Sequence, residues 1–571
     1  MRRYATFLAA MLLGALMLVA VPATAGAKDG PSPRAEERAA KTHVQILGLN
    51  DFHGNLRPPD ESGSGGRIGP ALPAGVAAGG VEYLATHVRQ LRATNPNTLF
   101  VSAGDLIGAS PLISAAFHDE PTIEAFNLMD LDYNGVGNHE FDEGVDELLR
   151  MQNGGCHPVE GCFGGDGFDG ASFDFLAANV TFKTTGEEIF PPYAIHHFPG
   201  VKVGIVGMTL EGTPAIVTAS AVQSVDFHDE ADSVNALVPH LKSQGVETIV
   251  VLLHEGGSTS TAGNGAGSVT GINDCVNPSG PVVDVVDRMS DEIDVVVTGH
   301  TNWAVNCVLD GKIVTGAAAF GRLVTDIDLT VSRASKEVVD AKVNNVIVTR
   351  TVEKASDLTA LVAKYGELAA PTENRLIGNA QAALTRSSTA PPAGNGESVL
   401  GDIIADAQLW ATAQPGFPAA PAVVSFMNPG GIRADINAGP ITYGEAFTVQ
   451  PFGNILVTMT MTGAQIDAVL EQQTTGTTLQ IPASLTYDRA PAAPAGSRIS
   501  NIRINGVDID PLLSYRVTVN NFLADGGDGF TVFRQGTDRY FGEIDLDGFA
   551  RYLEAHSPIS PTPRNRITLV P

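Results

Sequence analysis

Short segments of the chain carry the residue types that hold transition-metal ions: Asp51 and His53 in NDFHG, Asp105 in SAGD, Asn138 and His139 in GNHEFD, and His254 and His300 in VVLLHEGG and VVVTGHTN. Two divalent cations about 3.5 to 4 Å apart need one carboxylate that touches both, with neutral imidazoles or amides completing each shell without excess charge. Asp105 is the natural bridge. Water at such a pair has its pKa lowered toward neutrality, roughly 7 at favourable zinc sites, so in-line hydrolysis of a phosphoester needs no covalent step. No cysteine nucleophile motif and no glycine-rich phosphate cradle is present. Gly79 and Gly80 open a helical pattern, GGVEYLATHVRQL, where paired glycines serve as a turn or packing device. Asp142 follows His139 by three residues, near enough in one helical turn to orient the imidazole; capping of the following helix is the other reading of Asp142.

The elements that position these residues are legible as apolar, β-branched runs. VQILGLND, TLFVSAGD, ETIVVLLHE and DVVVTGH each end on a candidate ligand, as buried strands of an open α/β sheet do, and such sheets bind ligands at their carboxyl ends. At 571 residues the chain is too long for one core. Strands alternate with helical patterns from 42 to 345, ending in KIVTGAAAFGRLVTDIDLTVS and KVNNVIVTRTV. A linker over 346–375 follows, in which Leu358, Leu361, Val362, Tyr365 and Leu368 share one helix face and Pro371 stops the helix. A second domain runs over 376–571, and no internal repeat is visible.

Residues 1–27 have a positive start, an apolar stretch and small residues at the exit, the pattern of a cleaved signal peptide; a retained anchor is the alternative. No later stretch is apolar for long enough to cross a bilayer, so stable membrane insertion is not expected. The formal charge of −28 disfavours a nucleic-acid polymer as partner, although cations and an arginine in a cleft still admit an anionic mononucleotide. Four cysteines suit an oxidising compartment; the most economical of three pairings joins Cys156 to Cys162 and Cys275 to Cys307, with the second bridge bracing the metal-site edge.

The ordered blocks DxH, GD, GNHE, a lone His and GHxN resemble the calcineurin-like metallophosphoesterases. The resemblance implies a two-sheet α/β/β/α sandwich and two divalent metal ions, zinc, manganese or similar. By it, Asp51, His53, Asp105 and Asn302 hold one ion and Asp105, Asn138, His254 and His300 the other. His139 and Asp142 form a dyad that stabilises charge on the transferring phosphoryl group. Asn302, where the generic pattern has a second histidine, points to the 5'-nucleotidase branch.

The second domain carries NPGGIR (428–433), QPFGN (450–454) and NFLADGGDGF (521–530), which are similar to the carboxyl-terminal α/β substrate-binding domain of secreted 5'-nucleotidases. By that resemblance Phe452 and Phe522 sandwich the base, Asp528 binds ribose hydroxyls, and Asn428 and Arg433 contact phosphate or sugar. Stacking is worth roughly 1–3 kcal/mol per base and hardly distinguishes bases. Core packing is the competing fate of either Phe. One departure stands out: Gly396 occupies the place where several relatives have a substrate-binding arginine before ESVLGDIIADA, and Arg386 is the candidate substitute. The implied protein is a secreted nucleotidase acting on 5'-nucleoside monophosphates, with di- and triphosphates and nucleotide sugars as further candidates. A 2',3'-cyclic-nucleotide phosphodiesterase with 3'-nucleotidase activity and a catalytically dead nucleotide-binding protein are the alternatives.

Overall fold

The computed structural model describes residues 40–59, 66–69, 75–163, 167–259, 271–387, 394–415, 417–474 and 477–570; the expected signal peptide lies outside them. Two six-stranded sheets form the first half of the chain. In the first, Lys41–Leu49, Thr98–Ser102, Tyr133–Gly135 and Asp174–Leu176 run parallel, and Leu323–Ser332 and Val338–Ile347 extend the sheet antiparallel. In the second, Val201–Met208, Thr248–Leu253, Val295–Thr298 and Lys312–Ala317 run parallel between antiparallel edges Tyr193–Phe198 and Ala304–Leu309.

The continuous apolar runs follow from burial on both faces. Val44 and Ile46 pack between the sheets while Leu47 and Leu49 face the helices; in the second sheet Val250 and Leu252 pack between the sheets while Ile249, Val251 and Leu253 face the helices on the other side. Helix, sheet, sheet and helix thus stack in four layers, and every parallel strand that carries a candidate ligand ends at the same rim.

Two features depart from the sequence expectation. KIVTGAAAFGRLVTDIDLTVS is not one strand-like run: Lys312–Ala317 belongs to the second sheet and Leu323–Ser332 to the first. The chain crosses between them through left-handed residues Ala318 and Phe320. Pro371 does not stop the linking helix, which spans Ser356–Glu373. In its last turn the missing N–H removes a single hydrogen bond, and Asn374 N still donates to Ala370 O. The helix packs on the first domain through Leu358, Leu361, Tyr365 and Ala369, and Tyr365 Oη donates to Glu124. Val362 is half-buried and Leu368 is exposed, so the buried face is narrower than the apolar pattern.

The second half holds two four-stranded sheets. Val424–Ser425, Ser514–Asn520, Ile455–Thr462 and Thr537–Ile544 form one; Val507–Asp508, Ile499–Ile504, Leu485–Arg489 and Ile567–Leu569 form the other. Helices Val399–Ala411 and Asp545–His556 pack on each other through Leu400, Ile403, Ile404, Leu546, Phe549 and Leu553. No described helix is long and apolar enough to cross a membrane.

Candidate metal centre and substrate cleft

The candidate ligands sit just beyond strand ends, in turns tight enough to leave five of them in the left-handed region: Asp51 (φ 50°), His53 (48°), Asp105 (52°), His300 (70°) and Asn302 (56°). Non-glycine residues there are uncommon, and their concentration at one rim is backbone strain held in place by surrounding structure. Asp51 N donates to Gly104 O, His53 N to Asp105 O, and Phe320 N to Asp51 O, so the strand-end turns are stitched to one another. Gly104 (φ 87°) and Gly137 allow this approach. A Cβ on Gly104 would stand 2.6 Å from Gly137 N, and one on Gly137 would stand 2.3 Å from Asp105 Oδ1.

Asp51, His53, Asp105, Asn138 and His254 are buried, and their polar atoms converge. His53 Nε2 lies 3.7 Å from Asp105 Oδ2 and 3.9 Å from Asp51 Oδ1, and His254 Nε2 lies 3.1 Å from Asp105 Oδ2. Asn138 Oδ1 is flanked by His300 Nδ1 at 2.9 Å and His254 Nε2 at 3.1 Å. The potential ligand atoms fall into two groups that share one carboxylate: Asp51, His53 and Asp105, and Asp105, His254 and His300.

Neighbouring groups point these atoms inward. His53 Nδ1 donates to Gly108 O (2.9 Å) and His254 Nδ1 to Ala103 O (2.7 Å), which leaves Nε2 of each ring facing the centre, the arrangement that fixes a metal-binding imidazole. Burial pushes His53 and His300 down to about 3, so both rings are neutral, as ligands must be. Burial pushes Asp51 up to about 7, with Asp105 adding repulsion. Asp105 is held well below the usual carboxylate range: burial raises it, but the rings of His254, His139 and His53 outweigh that. His254 rises to about 10 against the pull of burial because Asp105 faces it. The donor set therefore calls for positive charge at its centre. Asn302 Oδ1 is buried with no hydrogen-bond partner among the described residues, an orphaned acceptor that a cation would satisfy. The residues present fit two divalent ions.

His139 belongs to the 3₁₀ turn His139–Phe141, and its Nδ1 meets Asp142 Oδ2 at 2.9 Å and Oδ1 at 3.1 Å. Burial lowers the His139 pKa, but Asp142 and Asp105 more than offset it and hold the ring above its ordinary value. Asp142 does not cap the next helix, Val145–Asn153, whose N-cap is Gly144.

Across from this dyad the second domain closes a cleft of about 270 Å³. Asn138, His139, Asp142 and His300 line it from one side and Asn428, Arg433, Phe452, Phe522 and Asp528 from the other. Phe452 stacks on His139, centroids 5.6 Å apart and 19° from parallel, and the Arg433 guanidinium lies 5.8 Å from the Phe452 centroid. Both phenylalanines are half-buried. Asn428 Nδ2 donates to Asp528 Oδ2 (2.9 Å) and Asn520 Nδ2 to Asn428 Oδ1 (3.1 Å).

Arg386 is not in the cleft lining. Its Nη1 donates to Ile432 O and its N–H to Asp435, which places it behind Arg433. Burial, with Arg386 adding to it, lowers the Arg433 pKa. Gly396 has φ 91°, and a Cβ there would meet Thr478 Oγ1 at 2.4 Å, so this backbone has no room for a side chain at that point.

Two organising residues went unread in the sequence. Glu140 accepts the N–H groups of Asp105 (2.9 Å), Leu106 (2.9 Å) and Gly137 (2.8 Å), tying the GD and GNH turns to one buried carboxylate. Asn50 donates to Asp51 Oδ2 and Ala318 O and accepts from Ala317 N, locking Asp51 to the crossing between sheets. Both adjoin candidate ligands, and their burial, which only the fold supplies, is the missing signal.

Residues 44–303 match the family model for calcineurin-like phosphoesterases, and residues 376–535 match the 5'-nucleotidase C-terminal domain. The chain is 30% identical over 560 residues to "Endonuclease YhcR" of Bacillus subtilis (strain 168), aligning 96% of itself with 43% of that protein's length, so it spans less than half of that relative. It is also 30% identical to "Cell wall protein Lmo0130" of Listeria monocytogenes serovar 1/2a, over 91% of this chain and 68% of the relative. The crystal structure of a 5'-nucleotidase precursor from Thermus thermophilus superposes with a TM-score of 0.74 at 26% identity, covering 93% of this chain and 99% of that one.

Proposed function

The chain belongs to the calcineurin-like phosphoesterases that carry a 5'-nucleotidase C-terminal domain, and from that premise we propose that it is an exported nucleotidase. In this reading it hydrolyses 5'-nucleoside monophosphates to nucleoside and phosphate. The observation that carries the reading is the cleft in which the His139–Asp142 dyad and Asn138 and His300 face Arg433, Phe452, Phe522 and Asp528 across about 270 Å³.

Asp51, His53, Asp105 and Asn302 would hold one divalent cation, and Asp105, Asn138, His254 and His300 a second. When bound, the pair supplies an activated water near neutral pH and offsets phosphate charge. His139, oriented by Asp142 and held above its ordinary pKa by Asp142 and Asp105 against the pull of burial, stabilises charge on the transferring phosphoryl oxygens and can pass a proton to the leaving alkoxide. Arg433 presents a planar fork to phosphate or sugar oxygens. Phe452 and Phe522 offer faces to a base, and the Asp528 carboxylate, steadied by Asn428, accepts from vicinal ribose hydroxyls. The charge of −28 favours a mononucleotide over a polymer. Export is supported by the signal-like residues 1–27 and by the pairs Cys156–Cys162 and Cys275–Cys307.

Steady-state rates on 5'-AMP, 3'-AMP and 2',3'-cyclic AMP, with zinc or manganese added, test the substrate. The highest kcat/KM is expected for 5'-AMP; a preference for the cyclic diester or the 3' ester would replace this reading with the phosphodiesterase one.

A further inference from the structure

A second group of metal-binding side chains gathers outside the cleft, where His118 meets the short loop closed by Cys156 and Cys162. His118 has a left-handed backbone (φ 49°). Its Nδ1 is hydrogen-bonded to Glu143 Oε2, and its Nε2 faces Glu160 Oε2 at 3.7 Å. His157 stacks on it, centroids 4.0 Å apart and 12° from parallel. One potential ligand atom from each of His118, His157 and Glu160 lies within 4.8 Å of the other two. None of these residues has a part in the proposed reaction.

The Nδ1 contact to Glu143 is the carboxylate–histidine arrangement that fixes the tautomer of a metal-binding ring and makes its other nitrogen more basic. A separation of 3.7 Å is too long for a hydrogen bond between Nε2 and Oε2. It suits two donors of one ion, which at bond lengths of about 2.0–2.2 Å in a tetrahedral shell stand roughly 3.3–3.6 Å apart. The loop backbone is pre-shaped, and the His157 ring, stacked parallel to His118, has to turn about its side-chain bonds so that both in-plane lone pairs meet at one ion. His157 and Gly161 exchange both backbone hydrogen bonds, and Cys156 and Cys162 are paired with Cα atoms 4.5 Å apart. The lone pair of His157 Nδ1 accepts from Glu160 N at 3.1 Å, and an ion would take over that lone pair.

We propose that His118, His157 and Glu160, with Glu143 orienting His118, form a third cation site. Two imidazoles and a carboxylate select zinc or a similar borderline ion over calcium or magnesium, which prefer an all-oxygen shell. The Glu160 side chain is 57% exposed, so the remaining coordination position faces solvent and the ion exchanges. A cavity of about 450 Å³ is lined by His118 and Glu143 and also by His139, Asp142 and Phe452, so the site borders the reaction centre without belonging to it.

Zinc per chain, counted by elemental analysis after equilibrium dialysis of the full chain, provides the test. His157→Ala/Glu160→Gln, both on a surface loop, should hold one ion fewer than wild type with unchanged circular dichroism. Glu143→Gln should weaken that ion by about 10- to 100-fold. In an Asp105→Asn background, where the central site is disrupted, the loop substitutions should again remove one ion. Equal counts with and without the loop substitutions, in either background, would overturn the third site and leave the proposed nucleotidase reading untouched.

Discussion

The two sides of the cleft are built by different rules. On the candidate metal side, seven candidate ligands follow parallel strands of two sheets, five of the set sit in left-handed turns, and Glu140 and Asn50 tie these turns together through buried hydrogen bonds. On the candidate substrate side, the contacts come from three segments, 428–433, 450–454 and 521–530; half-buried aromatic rings face the cleft, and an Asn428–Asp528 hydrogen bond joins two of the segments. Chemistry on charged groups needs fixed geometry, because electrostatic stabilisation falls away when donors must reorganise. Base stacking tolerates small displacements, so the recognising side can be looser and still contribute binding.

The comparison breaks most easily at Asp105. Asp105→Asn should abolish turnover and lower the metal content, because its carboxylate is common to both ligand groups and faces His53 and His254. Elemental analysis alongside rates on AMP would decide this, and a variant that turns over at the wild-type rate would defeat the assignment.

His139→Ala comes next. Its ring lies beside the ligand groups and is oriented by Asp142, so the variant should retain its metals while kcat falls by roughly 10² or more. A full-rate variant would show that the dyad is structural.

Phe452→Ala combined with Phe522→Ala sharpens the contrast on the other side. With stacking worth roughly 1–3 kcal/mol per base, kcat/KM for AMP should drop by about ten-fold or more while that for a simple aryl phosphate changes much less. The informative quantity is the ratio of the two, measured in wild type and the double variant; an unchanged ratio with folding intact would return both rings to the core.

The smallest effect concerns a buried carboxylate of the second domain with no place in the cleft. Neither oxygen of Asp402 has a hydrogen-bond partner among the described residues, and Arg566 Nε stands 3.7 Å away. Burial pushes its pKa up to about 8. An aspartate in the unfolded chain titrates near 3.9, so the native state holds the extra proton between about pH 4 and 8 and loses stability as pH rises through that window. Asp402→Asn should remove this loss: the Tm difference, variant minus wild type, should grow from about pH 5 to about pH 9 to roughly a few degrees. A difference that does not change with pH would mean that Asp402 is ionised throughout.

Much of the metal side was readable from the chain alone because its information is local. An apolar run ending in Asp, His or Asn states both a buried strand and what lies at its end, and the cysteine spacings suggested the two pairs that the structure contains. Other features depended on packing between distant segments. Pro371 is tolerated because it falls in the last turn of its helix, and the 312–332 run divides between sheets because its strands pair with different partners. Glu140 becomes an organiser only when the turns at 105 and 137 reach it. The stacking of Phe452 on His139 joins residues more than 300 positions apart, and Gly396 is closed to a side chain by Thr478. The sequence by itself determined which groups are available and on which strand ends they sit, since periodicity and side-chain chemistry act over a few residues. Only the tertiary structure decided which of them share a cleft, because the approach of two domains is set by the packing of whole surfaces.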